Sequence, residues 1–268
     1  MRLRFLGTGT SAGVPAIGIE PRSDDPRDVR LRTSATVEFV DPSGEERVIL
    51  IDAGPDLRQQ ALSAGMTRLD AILITHHHVD HCWGLDEVRR FNVMMDRAID
   101  LYGSRVTLDR LRVVYQHIFE AHRNIQRSFV ATLIGHEARA GEAFELFGVR
   151  VTPLHLLHGR MPVLGFRFDR VDGARVGAFP MAYCTDVSSI PTETWGALGG
   201  LKTLVLDGLR QRKHPTHMTI DESAATAERI GAEMTYMVHM SHEVVHAEAE
   251  AGLPENIRLA YDGLVVGG

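Results

Sequence analysis

Two cysteines in 268 residues, Cys82 and Cys184, are too few for a disulfide framework. Long apolar runs are missing as well. Val48 to Ile51 and Leu204 to Leu206 are strand-length, whereas a membrane-spanning helix needs about 20 consecutive apolar residues. The opening MRLRFLGTGTSAG has no apolar stretch of signal-peptide length, so the default expectation is a cytoplasmic location. Basic charge is in deficit: 29 Lys and Arg stand against 35 Asp and Glu, a net charge of −6. That balance argues against broad, charge-driven binding to extended nucleic acid. There is no internal repeat and no low-complexity linker, and residues 1–268 are expected to form a single domain. The 44% of hydrophobic residues is enough to give it a core.

Histidine is what the chain has in quantity. Eleven of its 14 histidines fall in groups: four in Thr75 to His81, His155 with His158, His214 with His217, and His239 with His242 and His246. Groups recurring at the ends of expected strands suggest ligands converging from separate loops. The first half reads as a strand over Leu3 to Leu6, a turn-rich loop, and a hairpin of Ala35 to Val40 with Arg47 to Ile51. A helix is expected from Pro55 to Ala64, stopping at Gly65, and a buried strand over Ala71 to Ile74. Ser104 to Val130 is read as mostly helical, and Ile19 to Arg32 as an exposed loop. Later strands are expected at Val149 to Pro153, Val163 to Phe168, Met181 to Cys184 and Lys202 to Leu206, with helices at Asp221 to Ile230 and His242 to Ala251. Strands in both halves with helices between them suit two sheets with helices outside.

The buried strand runs directly into THHHVDH, which contains H-x-H-x-D-H as His76, His78, Asp80 and His81. Alternate residues leaving a strand project to one side, so His76 and His78 can grip one metal. Asp80 and His81 follow as the chain turns into a helix and can face a second. Imidazole and carboxylate suit zinc, manganese or iron. His77 points the other way.

These residues, with FLGTGTSAGVP, LIDAGPD, TPLHLLH, YCTD, VHMSH and YDGL in that order, resemble the metallo-β-lactamase superfamily along nearly the whole chain. The subgroup is the one that contains the cyclic phosphodiesterase of the carbon–phosphorus-lyase pathway and, more distantly, ribonuclease Z. The resemblance implies a four-layer αββα sandwich and two divalent metal ions, zinc or manganese. It places His158 with His76 and His78 on the first metal, His239 with Asp80 and His81 on the second, and Asp186 with a hydroxide between them. Asp52 in LIDAG matches a carboxylate that orients a ligating histidine, although an Asp ending a strand at a turn reads equally well. His217 matches a histidine beside the scissile phosphate. There it would protonate the leaving alkoxide as the bridging hydroxide attacks phosphorus. His217 and Asp80, which is also a ligand, are the candidate catalytic residues. The reaction implied is hydrolysis of a small phosphodiester, cyclic or nucleotide-like, and a homodimer stands open as the assembly.

The chain departs from the pattern in places. Relatives often carry a cysteine cluster after GVPAxG that binds a structural zinc. Here the stretch reads GVPAIGIEPRSDDPRD, so no structural zinc is expected and packing or ion pairs must hold the loop, although His242 matches the zinc-binding histidine. No basic arm like that of ribonuclease Z is evident. The competing activity is a metal-dependent lactonase or thioesterase, because the same two metals can polarise a carbonyl.

Overall fold

The computed structural model describes residues 1–125 and 129–268. Strands β1 (Arg2–Gly7), β2 (Ser34–Val40), β3 (Glu46–Ile51), β4 (Ala71–Leu73), β5 (Ile99–Gly103) and β6 (Leu133–Glu137) lie in sequence order in one sheet. The second sheet runs in order through β7 (Phe144–Leu146), β8 (Val149–His158), β9 (Met161–Arg170), β10 (Met181–Cys184), β11 (Thr203–Asp207), β12 (Met234–Val238) and β13 (Ile257–Leu259). A last strand, β14 (Val265–Val266), returns to pair antiparallel with β1. The helices are α1 (Leu57–Ser63), α2 (Val79–Cys82), α3 (Arg89–Met95), α4 (Arg105–Val114), α5 (Gln116–Phe119), α6 (Thr192–Trp195), α7 (Ile220–Ile230) and α8 (His246–Glu250). Among the described residues, no helix is long and apolar enough to cross a membrane.

Burial shows the four layers. Leu3, Phe5, Ile49, Val151, Phe166 and Tyr183 fill the space between the two sheets. Leu50, Ile72, Leu101, Leu108 and Leu111 cover the outer face of the first sheet beneath α4. Leu204, Leu206, Met237, Ile220 and Ala227 do the same for the second sheet beneath α7. The central strands β4 and β11 are buried on both faces, which is why they read as unbroken apolar runs rather than alternating ones. The αββα sandwich expected from the sequence is the fold observed. β3 and β4 run parallel, as do β10, β11 and β12, so their carboxyl ends collect along one edge of the sandwich.

Several elements differ from the sequence reading. The β8–β9 hairpin extends over ten residues in each strand: Leu154 and Leu156 also meet apolar neighbours beyond Pro153, and β9 pairs with β8 along its whole length. The helix after Gly54 begins at Leu57, since the Asp56 carboxylate is taken by the Arg32 backbone N–H at 2.9 Å and by its guanidinium. Ser104 to Val130 is helical only over α4, α5 and a short 3-10 turn at Ala121–Arg123, and residues 126–128 of that span lie outside the described ones.

The expected helix over His242 to Ala251 is confined to His246–Glu250, and the supposedly exposed loop before β2 contains a buried cation. The two departures share a cause. The Arg30 guanidinium is fully buried, donates to the Val244 carbonyl at 3.0 Å and pairs with Asp28 at 2.5 Å. That holds Val244 out of helical geometry. Asp28 also accepts from the His246 backbone N–H at 2.8 Å, and Ser23 donates to it. Removing one partner of a buried pair leaves an uncompensated charge, so Asp28→Asn should cost about 3–5 kcal/mol in urea unfolding. A loss below about 1 kcal/mol would mean that the pair is solvated.

Candidate metal centre

The candidate residues gather at the shared edge: Asp52, His76, His78, His158, Asp186 and His239 at or just beyond the carboxyl ends of strands, Asp80 and His81 in α2, and His217 in the loop before α7. Asp52 follows β3 directly, and its carboxylate takes both the backbone N–H and the hydroxyl of Thr75, each at 2.8 Å. This ties the end of β3 to the chain leaving β4. The same carboxylate meets His81 Nδ1 at 2.7 Å. Asp52 is therefore a carboxylate that orients a histidine, which resolves the choice left open by the sequence.

Hydrogen-bond accounting fixes which imidazole nitrogens face inward. The single Thr75 hydroxyl proton goes to Asp52, so His76 Nδ1, 3.0 Å from Thr75 Oγ1, is the donor there. His158 Nδ1 donates to the Thr216 carbonyl at 2.8 Å, and His81 Nδ1 to Asp52. In all three rings Nε2 is left directed at the centre. His76 Nε2, His81 Nε2 and His239 Nε2 are buried with no hydrogen-bond partner. Orphaned polar atoms in a native interior are rare and call for a ligand.

The carboxylates complete the arrangement. Asp186 Oδ2 is 3.2 Å from His81 Nε2, while its Oδ1 is 3.4 Å from His239 Nε2 and 3.9 Å from His158 Nε2. Asp80 Oδ2 is 3.2 Å from His81 Nε2 and 3.5 Å from His239 Nε2. His76, His78 and His158 offer ligand atoms within 4.8 Å of one another, as do Asp80, His81 and His239, and Asp186 reaches towards both groups. This donor set suits two divalent metal ions. All seven residues named as ligands from the sequence come together here. His77 is half-exposed, His155 pairs with Glu193, and His246 pairs with Glu250, so these histidines stand apart.

The carboxylates draw positive charge to the centre, which a metal would supply in place of the proton on His81. Burial works against charge on His81, but Asp186, Asp52 and Asp80 outweigh it and hold the ring well above the ordinary histidine range. His76 goes the other way, pushed well below by burial and by neighbouring His81. Asp186 is kept far below the usual carboxylate range by His239 and His81, despite its burial. Cys82 and Cys184 are pushed up to about 12 by burial and do not supply a thiolate. The backbone is also strained at the site. Asp52, Asp186 and His239 have φ of 61°, 57° and 64°, a left-handed region costly for non-glycine residues.

One participant was absent from the sequence reading. Asp207, buried at the end of β11, accepts from His217 Nδ1 at 2.8 Å and from the Val187 N–H at 3.0 Å. His217 is itself buried; its ring lies 4.7 Å from that of His239, nearly parallel, and 4.6 Å from that of His158. The available signal was the repeat of an apolar strand ending in Asp before a small residue, LVLDG echoing LIDAG.

Residues 47–240 match the family described as a beta-lactamase superfamily domain. The chain belongs to the beta-lactamase superfamily. A solved structure described as a new diphosphatase from the PhnP family is similar at 39% identity and a TM-score of 0.85, covering 98% of this chain and 96% of that one. The octanoyltransferase of Porphyromonas gingivalis is 36% identical over 269 residues, which is 98% of this chain and 51% of the relative. Ribonuclease Z of Methanopyrus kandleri is 30% identical over 62% of this chain and 50% of its own length. The chain spans about half the length of these two curated relatives. As a superfamily member it carries the metallo-β-lactamase fold, with a donor set suited to metal at its edge.

Proposed function

We propose that the protein is a phosphodiesterase acting on a small phosphodiester, cyclic or nucleotide-like. His76, His78 and His158 would hold one metal, Asp80, His81 and His239 the other, with Asp186 between them. Bound there, the metals would supply Lewis-acid polarisation of the phosphoryl oxygens and an activated water. The observation that carries the reading is the Asp207–His217 pair against both ligand groups. Asp207 takes the Nδ1 proton of His217, which fixes the ring and leaves Nε2 towards the centre. Protonated, Nε2 is placed to deliver a proton to a departing alkoxide, a poor leaving group that gains from a positioned acid. A water oxygen bonds to phosphorus as one P–O ester bond breaks, giving an alcohol and a phosphate monoester, both on one molecule where the diester is cyclic. Asp52 and the Thr216 carbonyl keep His81 and His158 in the ligating tautomer.

A diphosphate is the second reading, supported by the 39% identical PhnP-family relative described as a diphosphatase. It uses the same centre but expels a phosphate, which needs less help from an acid. Zinc- or manganese-loaded protein should hydrolyse bis-p-nitrophenyl phosphate or a dinucleoside diphosphate in preference to a lactone or an octanoyl thioester. Turnover of the acyl substrates with both phosphoryl substrates untouched would remove the phosphodiesterase reading and restore the lactonase or thioesterase one.

A further inference from the structure

The opening GTGTS and the closing YDGL, from opposite ends of the chain, meet in the fold. The carboxylate of Asp262, in YDGL, takes the Thr8 hydroxyl at 2.8 Å on one oxygen and the Leu31 N–H at 2.7 Å on the other. Thr8 stands between two glycines that the packing requires. A Cβ on Gly7 would lie 2.1 Å from the Arg32 carbonyl oxygen, and one on Gly9 2.9 Å from that of Arg30. Gly9 donates to the Leu31 carbonyl at 2.8 Å and accepts from the Thr33 N–H at 3.0 Å. The segment is thereby wedged against the chain that enters β2.

The same segment holds Met240. The Met240 N–H donates to the Thr8 carbonyl and the Thr10 N–H to the Met240 carbonyl, each at 3.0 Å, so the residue is gripped at both ends. Met240 is fully buried and directly follows His239, whose φ of 64° is left-handed. A non-glycine residue keeps that conformation only where its surroundings over-determine it. On the β11 side, Gly208 donates to the Val238 carbonyl and Ser241 to that of Leu209, each at 2.9 Å. The grip on Met240 supplies the opposing restraint. His239 depends on it, because both of its ring nitrogens are buried without a hydrogen-bond partner and Asp207 Oδ1 stays 4.0 Å from Nδ1. His76, His81 and His158 are each fixed through Nδ1, whereas His239 is directed by its backbone and by stacking on His217. Burial pushes the Asp262 carboxyl up to about 6, so its charge is kept there at a cost that its donors only partly offset.

We infer that Asp262 is a positioning residue for His239: through Thr8 and Met240 it presets that histidine for the metal it would hold. This rests on the division of ligands under the proposed function. Zinc titration of the metal-free protein against a chelating indicator, with the Asp262 carboxyl ionised, should show two binding steps in wild type. The step lost in His239→Ala marks the second metal. Thr8→Val removes only the hydroxyl and Asp262→Ala the whole anchor; each should weaken that step by about 10-fold and leave the other within about 2-fold. Asp262→Asn, which can accept from Leu31 and donate to the Thr8 oxygen, should recover most of the loss. Equal weakening of both steps would leave Asp262 a merely structural residue, and no weakening would leave it no part; either overturns the inference. Should Asp262→Ala fail to fold, Thr8→Val carries the test, with urea unfolding to confirm its fold. If wild type takes up a single zinc, the two-metal reading fails, and amide exchange at Met240 in the metal-free protein decides the clamp alone. Faster exchange in Thr8→Val, with β11 amides unchanged, supports it; an equal rate, or a rise shared with β11, overturns it.

Discussion

Asp186→Asn should lower kcat/KM by about 10³-fold or more and reduce the content of both metals together. The expectation follows from position. Asp186 is buried, and its two oxygens face His81 on one side and His239 and His158 on the other, so one carboxylate serves both ligand groups. Asparagine is the informative replacement because the backbone is left-handed at this residue, with φ of 57°. Asn tolerates that conformation better than Ala does, so the change removes charge without adding strain. Its amide oxygen can still accept the Thr185 hydroxyl, which meets Asp186 at 2.8 Å. Elemental analysis after dialysis reads the outcome, with circular dichroism to confirm the fold. One metal retained at full occupancy would contradict a shared carboxylate.

How much of this site could be read in the sequence depends on how local the geometry is. His76, His78, Asp80 and His81 are legible because one strand end and one helix start set their directions, and a spacing of six positions encodes both. His158, Asp186 and His239 each follow a different strand, and nothing in the neighbouring residues says that those strands end at the same edge. The ordered resemblance to a family supplied them. Asp207 escaped even that, since an aspartate ending an apolar strand is ordinary until His217, ten residues on, is seen to donate to it. The fold shows the same division. β4 and β11 are unbroken apolar runs and were anticipated, whereas β5 places only Ile99, Leu101 and Gly103 inside and β6 buries Leu133 alone, so neither presents an apolar run. The over-long helix at His242 to Ala251 failed for a tertiary reason. Its composition favours a helix, but the Val244 carbonyl is claimed by Arg30, more than 200 residues away in the chain.

His217→Ala should leave metal content and fold unchanged while lowering activity on a diester with an alkoxide leaving group by about 10²- to 10⁴-fold. A diester that releases nitrophenolate should lose much less. The asymmetry is the point of the experiment. Nitrophenolate departs readily as an anion, so a missing proton donor matters little, whereas an alkoxide depends on one. The geometry supports that division, because Asp207 occupies His217 Nδ1 at 2.8 Å and His217 offers a ring nitrogen within 4.8 Å of ligand atoms on His158 and Asp186. That closeness also permits a different part, direct coordination, and elemental analysis separates the two: a drop in bound metal would make His217 a ligand. Equal losses on both esters, with metal intact, would make it a phosphate-binding residue. A dinucleoside diphosphate should behave like the nitrophenyl ester, since phosphate also leaves without much protonation, so the pattern across the three substrates distinguishes a diesterase from a diphosphatase. Activity undiminished on every phosphoryl substrate would take away the main support for phosphodiester chemistry outside the metal ligands, and hydrolysis of carbonyl esters would become the reading to pursue.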